Sequence, residues 1–205
     1  MRKLLTIALA ATMLLAGTNA SAQKWTASGG YSSFSLMGSE AKYIMTGSVP
    51  GFHFGVSYDY PFSSIEGLTV EPGIYFSHYG KDRSMAFTES AKEYRANYLS
   101  VPVNLKYCLP FDADFQLTAL TGPRFNMGIG GNMFSKGLTY PGLKRFDAQW
   151  GVGLVATIVD AISIRAGYDI GLSKCIKNDS KNKPDLSEDL KVYRNTFHVG
   201  IGFLF

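Results

Sequence analysis

Large apolar residues alternate with small or polar ones along most of this chain, and the alternation has period two. In 162–170, Ile162, Ile164, Ala166, Tyr168 and Ile170 fall on one parity, while Ser163, Arg165, Gly167 and Asp169 fall on the other. Period two is the mark of a strand whose two faces meet different surroundings. The same pattern sets Trp150, Val152, Leu154, Ala156 and Ile158 against Gln149, Gly151, Gly153 and Thr157, and Leu99, Val101, Val103, Leu105 and Tyr107 against Ser100, Asn104 and Lys106. It predicts eight strands, at roughly 24–35, 49–60, 67–79, 97–109, 114–128, 146–159, 161–173 and 193–205. Only the first is weakly patterned.

The connections alternate as strictly as the residues. Those after the second, fourth and sixth strands are short: Pro61 to Glu66, Pro110 to Ala113, and the corner at Asp160. The other four, Leu36 to Ser48, Gly80 to Ala96, Ile129 to Arg145 and Lys174 to Val192, are long and polar. Short turns at one end and long loops at the other are the layout of an antiparallel up-and-down barrel crossing an outer membrane, with the short turns and both termini in the periplasm. No stretch after the first residues approaches the roughly 20 apolar residues a spanning helix needs, so a membrane form of this chain has to be a closed barrel. The expected fold class is all-β, an eight-stranded antiparallel transmembrane barrel.

Export is written at the start of the chain. Arg2 and Lys3 precede an apolar run from Leu4 to Gly17, and Ala20-Ser21-Ala22 form a small-residue cleavage site. This predicts a cleaved signal peptide over 1–22 and one barrel domain over 23–205. Removing Arg2 and Lys3 takes the formal charge from +4 to +2, with 18 basic against 16 acidic residues remaining. So balanced a chain gives no case for a nucleic-acid partner.

Alternation alone does not say which face is inside, because a soluble ligand-binding barrel puts its apolar face inward. Volume favours the opposite choice. The apolar face carries Phe52, Phe54, Tyr58, Phe76, Tyr107, Phe115, Phe125, Trp150, Tyr168, Phe197, Phe203 and Phe205, too much bulk for the lumen of eight strands. The other face is crowded with Gly55, Gly73, Gly122, Gly151, Gly153, Gly167, Gly171, Gly200 and Gly202, residues that suit a constricted interior. Aromatic girdles are expected from Tyr60, Phe62, Tyr107, Phe111, Phe115, Phe203 and Phe205 at the short-turn end, and from Phe76, Tyr79, Phe125 and Phe146 at the other.

With the polar face inward, the lumen receives Glu71, Lys106, Arg124, Asp147, Arg165, Asp169, Arg194 and His198, with His53, Asp59, Asn104, Gln116 and Gln149. Charges out of bulk water have to be paired. The structural expectation is a cross-lumen network in which Glu71 and Asp169 meet Arg124, Arg165 or Lys106, closing a narrow lumen; an ion path or small binding site is the alternative. No cofactor or metal site is expected. Ser77 and His78 are the nearest thing to a catalytic dyad, but neighbours on one strand point to opposite faces, so no enzyme is expected. Gly128-Ile129-Gly130-Gly131-Asn132 lacks the Lys-Ser/Thr of a phosphate loop and reads as the flexible rim of a long loop. Cys108 and Cys175 fall at opposite ends of a barrel about 25 Å tall, beyond the ~7 Å reach of a disulfide, so two free thiols are expected. The loop from Lys174 to Val192 mixes five Lys with four acids and reads as solvated.

Several segments together carry a family resemblance: Phe52-His53-Phe54-Gly55-Val56, Leu68-Thr69-Val70-Glu71-Pro72-Gly73-Ile74-Tyr75-Phe76-Ser77, Asn97 to Tyr107, Thr121-Gly122-Pro123-Arg124-Phe125, Arg165-Ala166-Gly167-Tyr168 and the closing Phe197 to Phe205. In this order they resemble the PorT-like outer-membrane β-barrels common in Bacteroidetes, over essentially the whole mature chain. The resemblance implies an integral outer-membrane barrel, and one branch of that family is associated with protein secretion. By likeness to other such barrels, Phe203 and Phe205 serve as the insertion signal for the assembly machinery. The expected partners are outer-membrane lipid and lipopolysaccharide, the assembly machinery during insertion, and a secretion-system or surface protein. The expected role is structural or interactive through the long loops, with a secretion accessory or narrow conduit as the alternative; a soluble ligand-binding barrel and a lipid-modifying enzyme are further readings.

Overall fold

The computed structural model describes residues 24–38, 41, 47–81, 94–109, 115–134, 142–158, 162–176 and 191–205. The expected signal peptide lies outside them, as do most of the long connections. Eight strands form one closed antiparallel barrel: β1 (Lys24–Met37), β2 (Ser48–Pro61), β3 (Leu68–Lys81), β4 (Tyr94–Leu109), β5 (Phe115–Gly130), β6 (Phe146–Ile158), β7 (Ile162–Gly171) and β8 (Tyr193–Leu204). Each strand pairs with its neighbour in sequence, and β8 closes on β1. Beyond the ladder, Trp25 and Phe205 exchange backbone bonds of 2.8 and 2.9 Å at the seam.

Register fixes how the walls face one another. Partners traced from Gly29 through Phe54, Phe76, Leu99 and Met127 reach β6 at Phe146. Traced the other way, through Ile201 and Ile164, they reach β6 at Ala156, ten residues further along. That stagger obliges the strands to tilt. It also sets β3 and β7 on opposite walls, four strands apart in the ring of eight.

Parity decides burial. In β7 the odd positions Ser163, Arg165, Gly167 and Asp169 are buried, while Ile162, Ile164, Ala166 and Ile170 are exposed. The outer wall therefore carries Phe52, Phe54, Val56, Ile74, Val101, Leu105, Phe125, Trp150, Val152, Leu154, Phe197 and Ile201 exposed. An apolar belt on every strand is far larger than the patches a protein keeps in water. It overturns the soluble-barrel reading, which would have turned this face inward. Inside, glycine leaves room for what its neighbours send in: a Cβ on Gly151 would come within 2.7 Å of Asp169 Oδ1, and one on Gly167 within 2.6 Å of the His198 ring.

Candidate functional site

The interior is built in layers, each assembled from several strands. At the short-turn end Glu71 of β3, fully buried, accepts hydrogen bonds on Oε1 from Asn104 Nδ2 (2.9 Å) and Arg165 Nη1 (2.8 Å). Its Oε2 accepts from Arg165 Nη2 (2.5 Å) and Lys106 Nζ (3.0 Å). Lys106 Nζ also donates to both carboxylate oxygens of Asp59, at 2.9 and 2.7 Å. Two carboxylates and two cations thus close a neutral group across the lumen, with a forked guanidinium contact of the strong kind. Tyr75, inward from β3, places its hydroxyl 3.1 Å from Ser28 Oγ and donates to Ser57 Oγ at 3.5 Å.

The middle layer is looser. Arg124 Nε lies 3.2 Å from Asp169 Oδ2, and His198 Nε2 lies 3.6 Å from the same oxygen. The His53 and His198 rings are 5.8 Å apart. Arg124 Nε, Asp169 Oδ2 and His53 Nδ1 complete no hydrogen bond, so this layer is held by charge proximity more than by aligned bonds. Nearer the long-connection end order returns. Arg194 grips Asp147 through Nε and Nη2, both at 3.0 Å, and Nη1 donates to Thr196 at 3.2 Å. Asn126 donates to Asp147 (2.8 Å) and Gln149 (2.9 Å) and accepts from Ser100 (2.6 Å). Among the described residues, four inward cations, Lys106, Arg124, Arg165 and Arg194, meet four inward anions, Asp59, Glu71, Asp147 and Asp169.

Of the residues named from the sequence, Glu71, Lys106 and Arg165 come together, whereas Arg124 and Asp169 pair with each other in a separate layer. Gln116 is on the inward parity but exposed at the short-turn rim. Phe203 and Phe205 stand on the outer wall near that rim, 59% and 73% exposed. Ser77 is buried, and His78 faces outward and bonds Asn97 instead.

The long-connection end departs from the sequence reading. Tyr79, expected in the outer girdle, points inward and is 2% exposed. It belongs to an apolar cluster with Phe34, Leu36, Val49, Ala96, Tyr98, Met133, Phe134, Leu143, Cys175, Ile176 and Val192. The glycine-rich rim is also more ordered than expected. Gly128 and Gly130 end β5, Gly131 adopts φ +113°, and a 3-10 turn at Asn132–Phe134 drops Phe134 into the mouth. Any side chain at Gly128 would collide with the Phe134 ring. Arg145 covers that ring at 5.7 Å and bonds Gly128 O at 3.1 Å. Tyr98 meets the Phe134 ring edge to face from below (5.3 Å), and the Arg194 guanidinium lies 4.1 Å from the Tyr98 ring. Above, Leu143 bridges Ile176, and Cys175 N bonds Val192 O at 2.9 Å. Cys175, Ile176 and Val192 are buried, so the ends of the last long connection are packed where a solvated loop was expected.

A family profile for the outer membrane protein β-barrel domain matches residues 4–205. No curated protein matches the chain in sequence. Among solved structures, the outer membrane enzyme PagL aligns over 88% of this chain and 98% of its own, at 11% identity and a TM-score of 0.50. Ail, the attachment invasion locus protein of Yersinia pestis, covers 89% of this chain and 99% of its own at 17% identity and a TM-score of 0.49, in a complex with the heparin analogue sucrose octasulfate. Neisserial surface protein A covers 91% and 99%, at 14% identity and a TM-score of 0.47. At 11% identity what PagL shares with this chain is a fold.

Proposed function

Because the chain belongs to the outer membrane protein β-barrel domain family, we propose that it is an integral outer-membrane barrel with a sealed lumen, which acts through its long-connection end. The observation that carries this reading is the filling of the lumen by paired side chains, from Asp59 and Lys106 at one end to Arg194 and Asp147 near the other. Phe134 and its neighbours support it by covering the mouth. Short turns belong on the periplasmic side of such barrels, so the covered mouth faces outward. The side chains exposed there among the described residues, Arg95, Lys144, Arg145 and Lys191, suit a structural role or contact with a partner.

Planar-bilayer recording tests the sealed lumen. The purified barrel is expected to insert without stepwise conductance, and steady single-channel steps would overturn the reading in favour of a conduit. Resemblance to the PorT-like barrels favours a second role, as an accessory of protein secretion, and affinity isolation from native outer membrane would recover the secretion partner it requires. In either role residues 1–22 are removed on export, which the intact mass of the mature protein checks. Phe203 and Phe205, exposed on the closing strand, are the proposed contact for the assembly machinery. The reading gives Ser77 and His78 no catalytic part, and a screen with lipid A and phospholipid substrates is expected to show no turnover.

A further inference from the structure

The apolar belt on the outer wall does not end at one height around the barrel. Ladder partners climb ten residues in one circuit of the eight strands, so residues at equal height slip by about 1.25 positions from one strand to the next. Levelled in this way, a ring near the long-connection end carries Ser35 of β1, Ser48 of β2, His78 of β3, Asn97 of β4 and Asn195 of β8 on the outward parity. The same ring passes through Ile129 of β5, Phe146 of β6 and Leu172 at the end of β7, which are 47%, 60% and 57% exposed. Five adjoining strands are polar there, and the other three are apolar.

The polar arc is built as one. His78 Nδ1 lies 2.6 Å from Asn97 Oδ1, and Asn195 accepts from Gly171 N–H (2.9 Å) and donates to the Tyr168 hydroxyl (3.0 Å). Below this arc the unbroken belt stops at Tyr31, Phe52, Phe76 and Phe197. On the other arc it continues. The outward parity of β6 is apolar or aromatic from Ile158 up to Phe146, and that of β7 from Ile162 up to Leu172. Exposed cations, Lys144 and Arg145, come only beyond Phe146, the order in which hydrocarbon gives way to headgroups. A strand tilted by roughly 40° gains about 2.5 Å of height per residue, so the apolar wall of β5–β7 stands about 8 Å taller than that of β1–β3 facing it.

A surface continuous with the lipid-facing belt is covered by what covers the belt, whereas an imidazole and amides at hydrocarbon depth are costly. We propose that acyl chains of the outer leaflet climb β5–β7 as far as Ile129, Phe146 and Leu172 and stop below Ser35, His78 and Asn195 on the rest of the ring, so that the leaflet is thinned beside β1–β3. The inference rests on the membrane orientation proposed above and adds which wall the outer leaflet covers.

The test uses the full mature protein in phosphatidylcholine vesicles doped with a phosphatidylcholine that carries a diazirine on its acyl chain. Carbene labels are mapped by peptide mass spectrometry, and water-borne hydroxyl radicals supply the reciprocal map. Ile129, Phe146 and Leu172 are expected to take the acyl label as strongly as Phe54 and Leu105 of the middle belt, with Ser35 and Asn195 unlabelled. Hydroxyl radicals are expected to oxidise His78 and spare Phe146. Acyl labelling equal around the whole ring, or oxidation of Phe146 as fast as His78, would overturn the proposal. Protection of Phe146 and Leu172 from both reagents would mean that a second copy covers this wall, and it would overturn the choice of lipid. The two levels separate in the same map: no acyl label on Phe54 and Leu105 defeats the membrane orientation, whereas a labelled middle belt under an unlabelled Ile129, Phe146 and Leu172 defeats only this inference.

Discussion

Glu71 at the short-turn end of the lumen accepts four hydrogen bonds from three side chains on two other strands, whereas Phe134 at the long-connection end is held by ring contacts, a covering arginine and the space left by a glycine. One closure is made of charges that belong to the barrel wall itself. The other is made of apolar side chains, several of them delivered by connections above the wall. A charge pair across the lumen fails as part of the whole barrel, because its members are anchored in strands with nowhere else to go. An apolar stopper on a 3-10 turn can lift without disturbing a single ladder hydrogen bond. The barrel therefore combines a global lock with a local one.

Removing Glu71 is the strongest way to break the comparison. Glu71→Ala strands Arg165 without a carboxylate and leaves Lys106 with Asp59 alone, and it is expected to cost about 3–5 kcal/mol of global stability, read as a shifted urea midpoint in lipid. A midpoint unchanged by this substitution would mean the lower layer holds nothing. Phe134→Ala should act locally. The Cys175 thiol, pushed up to about 12 by burial, is expected to label slowly with maleimide at pH 8 in the wild type. On opening, its pKa falls back toward the ordinary thiol value, the thiolate fraction rises, and labelling should accelerate about tenfold, the signature of a ~1.4 kcal/mol local destabilisation. A large loss of global stability in the same variant would show that the two closures are one unit. Asp59→Asn should cost only about 1 kcal/mol, because the Asp59 side chain is 17% exposed and Lys106 keeps Glu71. Smallest of all, Trp150→Phe removes the 2.9 Å bond from its indole N–H to Thr121 Oγ1 on the outer wall, at about 0.5–1 kcal/mol.

The two closures also differed in how far they could be read from the sequence. Where inward positions are polar or glycine, as along Ser163, Arg165, Gly167 and Asp169, alternation marks the lumen face directly. Strand ends, pairing order and the inward side of Glu71, Lys106 and Arg165 follow from it. At Phe34, Val49, Tyr79 and Tyr98 the inward residue is apolar while its outward neighbours include Ser33, Ser35, Ser48, His78 and Asn97, so the polarity signal reverses. Counting parity from Glu71 through Gly73, Tyr75 and Ser77 would have placed Tyr79 inside, since nothing interrupts β3. No such count finds Phe134, whose place depends on the backbone at Gly131 leaving the strand. The weak pattern of β1 has its own cause. Its outward positions include Ala27, Gly29 and Ser33, small residues beside Phe54, Phe197 and Phe203 on the neighbouring strands. The division into layers was likewise hidden, because it comes from the ten-residue stagger of the whole ring.

That Arg165 of β7 reaches Glu71 of β3 across the full width of the barrel bears on how the protein is made. These residues are 94 positions apart, and the strands that carry them touch only through the lumen. Until the ring is nearly shut each charge retains its water, so a half-assembled sheet stays wet along its polar face. Desolvation and pairing then come together in the final step, when β8 meets β1. The ion pair is thus a reward withheld until closure, biasing the nascent sheet toward a complete ring over an open one with free edges.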